Sequence, residues 1–101
     1  MIVRFIGLIA IFLSLSFQLA NADNAKGEEA YEKGDYELAL SEFIKAAEEE
    51  DMNAQYNLGV MYEHGHGVKQ SFLKADEWYQ LAADNGHPDA PTALQLLYEE
   101  F

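Results

Sequence analysis

The chain repeats itself at a spacing of 36 residues. Tyr36 falls on Phe72, Ala39 on Ala75, Phe43 on Tyr79 and Ala46-Ala47 on Ala82-Ala83. Ala54 falls on Ala90, Leu58 on Leu94 and Tyr62 on Tyr98. Large and small residues keep the same order in both copies, which is what interlocking elements need. A repeat of this period marks a stack of supersecondary units, none of which buries its apolar face alone. Inside each copy the spacing is helical. Tyr36, Ala39, Leu40, Phe43, Ala46 and Ala47 form one stripe, and Phe72, Ala75, Tyr79, Ala82 and Ala83 form its counterpart. No segment sustains the two-residue alternation of a strand. The expectation is all-α, with five helices at about 24–33, 36–49, 53–63, 71–84 and 89–100. Short turns join consecutive helices, so neighbours should pack antiparallel.

The punctuation agrees with these boundaries. Gly34-Asp35 supplies a break and an N-cap before Tyr36, and Ser71 can cap the helix that opens at Phe72. Gly65 and Gly86 follow periodic runs, where a left-handed helix stop is expected. Pro88 and Pro91 fall in the opening turn of the last helix, where proline is best tolerated. The longest connection runs from His64 to Gln70.

The first 22 residues read differently. Arg4 is their one charged side chain, an apolar run follows from Phe5 to Phe17, and the stretch closes on Ala20-Asn21-Ala22. A basic start, a short apolar core and an A-x-A site are the order of a secretory signal. Residues 1–22 are therefore expected to be a cleavable signal peptide and residues 23–101 the folded domain. A retained membrane anchor is the rival, with the apolar run near the lower limit of about 17–20 residues for a span. Loss of Arg4 takes the formal charge from −12 to −13, carried by five Lys against eighteen Asp plus Glu. So acidic a surface lacks the basic patch that nucleic-acid binding needs. The chain has no cysteine, hence no disulfide, thiolate metal site or cysteine nucleophile, although export would permit disulfides.

Residues 54–90, AQYNLGVMYEHGHGVKQSFLKADEWYQLAADNGHPDA, resemble a Sel-1-like repeat. The resemblance rests on Tyr56-Asn57-Leu58-Gly59, Met61-Tyr62, Gly65 and Gly67-Val68, Lys74-Ala75, Trp78-Tyr79, Ala82-Ala83 and Gly86. Residues 27–51 are similar to the related tetratricopeptide repeat through Gly27, Gly34-Asp35-Tyr36, Ala39, Phe43 and Ala46, and lack the four-residue extension around His64 to Val68. The resemblance implies an α-solenoid of antiparallel helical hairpins that binds other proteins or peptides. Here it would hold two repeats and a C-terminal capping helix, with Leu94, Leu97 and Tyr98 covering the last hairpin. Gly59, lacking a side chain, lets a neighbouring helix approach closely, and Trp78 and Tyr79 fill the space between hairpins.

The sequence offers three candidate chemistries. His64 and His66, with His87 and Glu63, would be the metal ligands, but two histidines two residues apart are weak evidence beside a glycine-turned loop. The run Glu48-Glu49-Glu50-Asp51 falls at the C-terminal end of a helix, where each exposed anion costs about 0.3–1 kcal/mol. It reads as a solvated turn, with a docking point for a basic partner as the functional alternative; calcium lacks its D-x-D-x-D-G spacing. No nucleophile elbow, P-loop or H-E-x-x-H motif is present. No enzyme activity and no cofactor are expected.

In solenoids of the resembled kind the first helix of each hairpin lines the concave groove. That implies a partner-binding face of Asn24, Glu28 and Tyr31, then Asn53, Tyr56, Val60 and Glu63, then Thr92, Leu96 and Glu99. Amides suit a peptide backbone, tyrosines supply contact area, and glutamates favour Lys or Arg. The expected function is an exported, periplasmic or secreted, module that binds a protein or peptide of basic character. No nucleic acid is expected as partner, and no membrane after signal cleavage. The alternatives are an immunity or inhibitor protein that neutralises a secreted toxin, and a self-associating scaffold.

Overall fold

The structure, a computed structural model, describes residues 19–100. It is all-α, with no strand among the described residues. Helix α1 passes through residues 19–32, followed by α2 (Tyr36–Glu48), α3 (Met52–His64), α4 (Phe72–Asp84) and α5 (Ala90–Glu99). Helix α2 packs on α3, α3 on α4 and α4 on α5, as expected of stacked hairpins. Most of the expected signal segment, residues 1–18, lies outside the described residues. Residues 19–22 are helical and continuous with the rest of α1, with Ala20 buried. Among the described residues no helix is long and apolar enough to cross a membrane.

The turns follow one design. At the end of α4 the amides of Gly86 and His87 donate to the carbonyls of Ala83 and Ala82, with Gly86 left-handed at φ 95°. Gly34 and Asp35 close α1 by the same two bonds, to Tyr31 and Ala30. This is the Schellman stop, which satisfies orphan carbonyls at a helix end. Helix α2 also ends this way, the amides of Glu50 and Asp51 donating to Ala47 and Ala46. The residue at the left-handed position is Glu50, at φ 63°, which stands 36 residues before Gly86. A side chain there costs roughly 1–2 kcal/mol against glycine.

The same turns start the next helices. Asp35 accepts from the amide of Leu38, and Asp51 accepts from those of Asn53 and Ala54 at 2.8 and 3.2 Å. Asp51 is therefore a buried N-cap of α3, not part of a solvated acidic turn. Ser71 caps α4 by accepting from Lys74, and α3 stops at left-handed Gly65. Pro91 sits in the first turn of α5, whereas Pro88 precedes it.

Among the described residues two clusters make the core. The first joins Ala30 of α1, Ala39, Phe43, Ala46 and Ala47 of α2, and Ala54, Leu58 and Met61 of α3, with Trp78 leaning on it from α4. The second is centred on Ala75 and Tyr79 of α4 and Leu97 of α5, with Tyr56, Val60, Ala93 and Leu94 around it. Close helix approach is achieved identically in both hairpins: the ring of Phe43 lies on Gly27, and that of Tyr79 on Gly59. Gln55, fully buried, donates to the Ala47 carbonyl and accepts from Asn85 at 2.8 Å, so the amide ties three helix ends together. Helix α5 covers the last hairpin through buried Leu97 and half-buried Leu94. Tyr98 departs from the expectation: it stays 49% exposed and reaches α4 by a hydrogen bond to Asp76.

The α1, α3 and α5 face and its cleft

The extension after α3 packs on the first hairpin. His66 stacks on Tyr36 with ring centroids 4.6 Å apart and planes 3° apart, and its Nδ1 shares a 2.7 Å hydrogen bond with the Tyr31 hydroxyl. Val68 joins the first core cluster, and Gln70 donates to the Glu63 carbonyl at 2.7 Å. Residues 65–71 thus tie α1 and α2 to the second unit. His87 behaves alike: its ring stacks on Tyr56 at 4.3 Å, and its Nδ1 accepts from the amide of Asp89. His66 and His87 are thus each committed to a tyrosine. Among the described residues no group of three or more His, Cys, Asp or Glu side chains is arranged to hold a metal ion.

Of the ten residues expected on the binding face, Glu28, Tyr31 and Val60 meet around one cleft between α1 and α3. Glu32 and Asn57 complete its walls, and Phe43 of α2 lies at its base. Its volume is about 130 Å³. Asn24 stands behind it, buried, donating to Glu28 Oε1 at 3.1 Å and accepting from Asn57 Nδ2 at 3.3 Å. Asn57 also reaches Glu28 Oε1 at 3.4 Å. The Glu28 carboxylate is therefore held by two amides. Burial, then the neighbouring Tyr36, pushes the Tyr31 phenol above its ordinary range, so it stays neutral and able to donate.

Tyr56 and Glu63 are brought instead into the packing beneath the face. The Tyr79 hydroxyl donates to Glu63 Oε1 at 3.1 Å, and Tyr56 leans on the Tyr79 ring at 5.4 Å. Burial, with Glu63 second, drives the Tyr79 phenol far above its usual range. Tyr56 is raised by burial first, then by Asp89 and Glu63. Asn53 lies apart from the cleft, at a recess by the α2–α3 turn with Glu49, Glu50, Asp51 and Asn85. Thr92, Leu96 and Glu99 are exposed on α5 and take no part in the cleft.

Two cleft residues escaped the sequence reading. Asn57 lies within Tyr56-Asn57-Leu58-Gly59, and Glu32 follows Glu28 by one helical turn, the spacing that places two side chains on one face. That periodicity was the available signal. Phe43 reads as core by its spacing, and it is core, at 1% exposed, while its edge still lines the cleft.

Comparison with known proteins agrees with this geometry. The family described as Sel1 repeat matches residues 53–87. The chain is 47% identical over 61 residues to DAP3-binding cell death enhancer 1 of Rattus norvegicus, covering 58% of this chain and 12% of that protein. It is 34% identical over 70 residues to the ERAD-associated E3 ubiquitin-protein ligase component HRD3 of Candida glabrata, covering 67% of this chain and 8% of that protein. It is 41% identical over 59 residues to protein sel-1 homolog 2 of Rattus norvegicus, covering 57% and 8%. The chain thus spans only about a tenth of these relatives' length. Sel1 repeats are generally protein–protein interaction modules. The stop at Gly65, the Gly59–Tyr79 approach and the turn at Gly86 all lie inside the match, so residues 53–87 are similar to a Sel1 repeat and sit within an all-α helical-repeat fold.

Proposed function

We propose that this chain is an exported, non-catalytic module that binds a protein or peptide of basic character through the face of α1, α3 and α5. The observation that carries the reading is the α1–α3 cleft. Its rim carboxylates, Glu28 and Glu32, have no cationic partner among the described residues, where the lysine–glutamate ion pairs are Lys33–Glu29 and Lys45–Glu42. Negative charge without a counter-ion, beside an apolar base, suits a cationic side chain with a hydrocarbon stem. The overall formal charge of −12 adds a long-range field that raises the association rate of a basic partner.

The test is capture from the native host with the wild-type chain and with Glu28→Lys plus Glu32→Lys. Both positions are exposed. A partner retained by the wild type, lost by the double variant and weakened by added salt supports the reading. Capture indifferent to both salt and charge reversal refutes it. Tyr56 and Glu63 are unsuitable probes, since their loss disturbs Tyr79.

Export rests on the order of Arg4, the apolar run and Ala20-Asn21-Ala22. We place the cut after Ala22, which leaves acidic Asp23 at the start of α1, where a carboxylate is favoured by the helix dipole. The intact mass of chain recovered from outside the cytoplasm should begin at Asp23. A mass that retains residues 1–22 would reject the cut.

A further inference from the structure

The cleft between α1 and α3 is small. Pockets for metabolites and cofactors run to roughly 300–1,000 Å³, and this one holds about 130 Å³. It accommodates one extended side chain and little else. Its base is apolar, from Phe43 and Val60, with the Tyr31 ring at one side. Its rim carries two carboxylates one helical turn apart.

The two carboxylates are in different states. Glu28 is fixed: Oε1 accepts from Asn24 and from Asn57, while Oε2 has no hydrogen-bond partner among the described residues. Glu32 makes no hydrogen bond or ion pair among them and is free to turn toward the cleft. A pre-oriented acceptor lowers the ordering cost of binding. A point charge such as an ammonium satisfies one of these groups well. A planar guanidinium presents donors on two edges, spans two carboxylates and lies flat on an aromatic ring. Both carboxylates and the Tyr31 ring are then used at once.

We propose that this cleft seats one arginine side chain of the protein partner, with its guanidinium held by Glu28 and Glu32 and its methylenes on Phe43 and Val60. The proposal rests on the binding reading above and specifies the residue recognised there.

The test titrates the full chain with Nα-acetyl-arginine amide and follows backbone amide resonances. Nα-acetyl-lysine amide and Nα-acetyl-citrulline amide serve as comparators; citrulline keeps the shape of arginine and removes its charge. The expected result is shifts centred on Glu28, Tyr31, Glu32, Asn57 and Val60, with arginine tighter than citrulline by about fivefold or more, as two partly exposed ion pairs allow. Arginine should also outbind lysine. Glu32→Gln should reduce the arginine affinity about twofold to fivefold and leave citrulline unchanged. Arginine and citrulline binding equally, lysine binding as tightly as arginine, or shifts lying outside the cleft would each overturn the proposal. These outcomes are separable from failure of the wider reading. Loss of partner capture on charge reversal, together with equal binding of the three amides, retains a basic partner and rejects the arginine seat. Capture unaffected by charge reversal rejects the wider reading first.

Discussion

The ring of Tyr79 lies against the bare α-carbon of Gly59: a β-carbon at residue 59 would sit 2.5 Å from two of its ring atoms. Phe43 and Gly27 repeat the relationship at the same 2.5 Å. No β-carbon tolerates such a contact, so the helices would have to separate. Gly59→Ala and Gly27→Ala should each destabilise the fold by about 1–3 kcal/mol, despite alanine's better helix propensity. Chemical denaturation measures this; a gain in stability at either site would contradict the packing.

Glu50 should respond in the opposite direction. It occupies the left-handed position of the α2 stop that Gly86 occupies after α4. Glu50→Gly should stabilise by about 1 kcal/mol by relieving that conformation. The exposed 3.2 Å bond that Glu50 accepts from Asn85 offsets little of the gain. An increased thermal midpoint is the expected reading, and a lowered one would show that the Asn85 contact outweighs the strain.

The tyrosines set the alkaline limit. Tyr31, Tyr56 and Tyr79 all have folded-state pKa values raised above the ordinary value, by burial first. Above about pH 10 the unfolded chain releases phenolic protons that the folded chain keeps, so stability is full below that pH and falls as pH rises. Phenolate absorbance and helicity followed together should show these phenols ionising as the helices melt. Free ionisation with helices intact would contradict their burial. Tyr79→Phe should soften the alkaline limit while leaving Glu63 without its phenol.

The histidine stacks predict separate local effects. His66→Ala removes the contact with Tyr36 and the hydrogen bond to Tyr31, which anchor the extension to the first hairpin. A loss of about 1–2 kcal/mol is expected, with faster amide exchange through residues 65–71. His87→Ala should loosen the turn before α5 and leave residues 65–71 unchanged. Identical exchange patterns for the two variants would contradict the assignment.

Much of this was legible in the residues. The 36-residue repeat, the stripes of Tyr36 to Ala47 and Phe72 to Ala83, and caps such as Asp35 and Ser71 depend on neighbours within a few turns of chain. Local spacing carries that information. The role of Asp51 was hidden because a fourth acid in an acidic run looks like solvated charge, while only the turn geometry makes it a cap. His66 and His87 looked like loop positions because their tyrosines are distant in sequence.

The face was legible in part, for the same reason. Periodicity places Glu28 and Tyr31 on α1 and Val60 on α3, but it carries no information on which helix approaches which. Asn57 joined the site only when α3 was laid beside Asn24 and Glu28. Tyr56 and Glu63 left the free surface only when Tyr79 came up beneath them. The sequence by itself determined the helices, their turns and the repeat, since these follow from propensity, capping and apolar spacing along one chain. The tertiary structure alone decided that two carboxylates, without a cationic partner among the described residues, stand over an apolar cleft, because that depends on how closely glycine lets the helices pack and on which side chains the packing consumes.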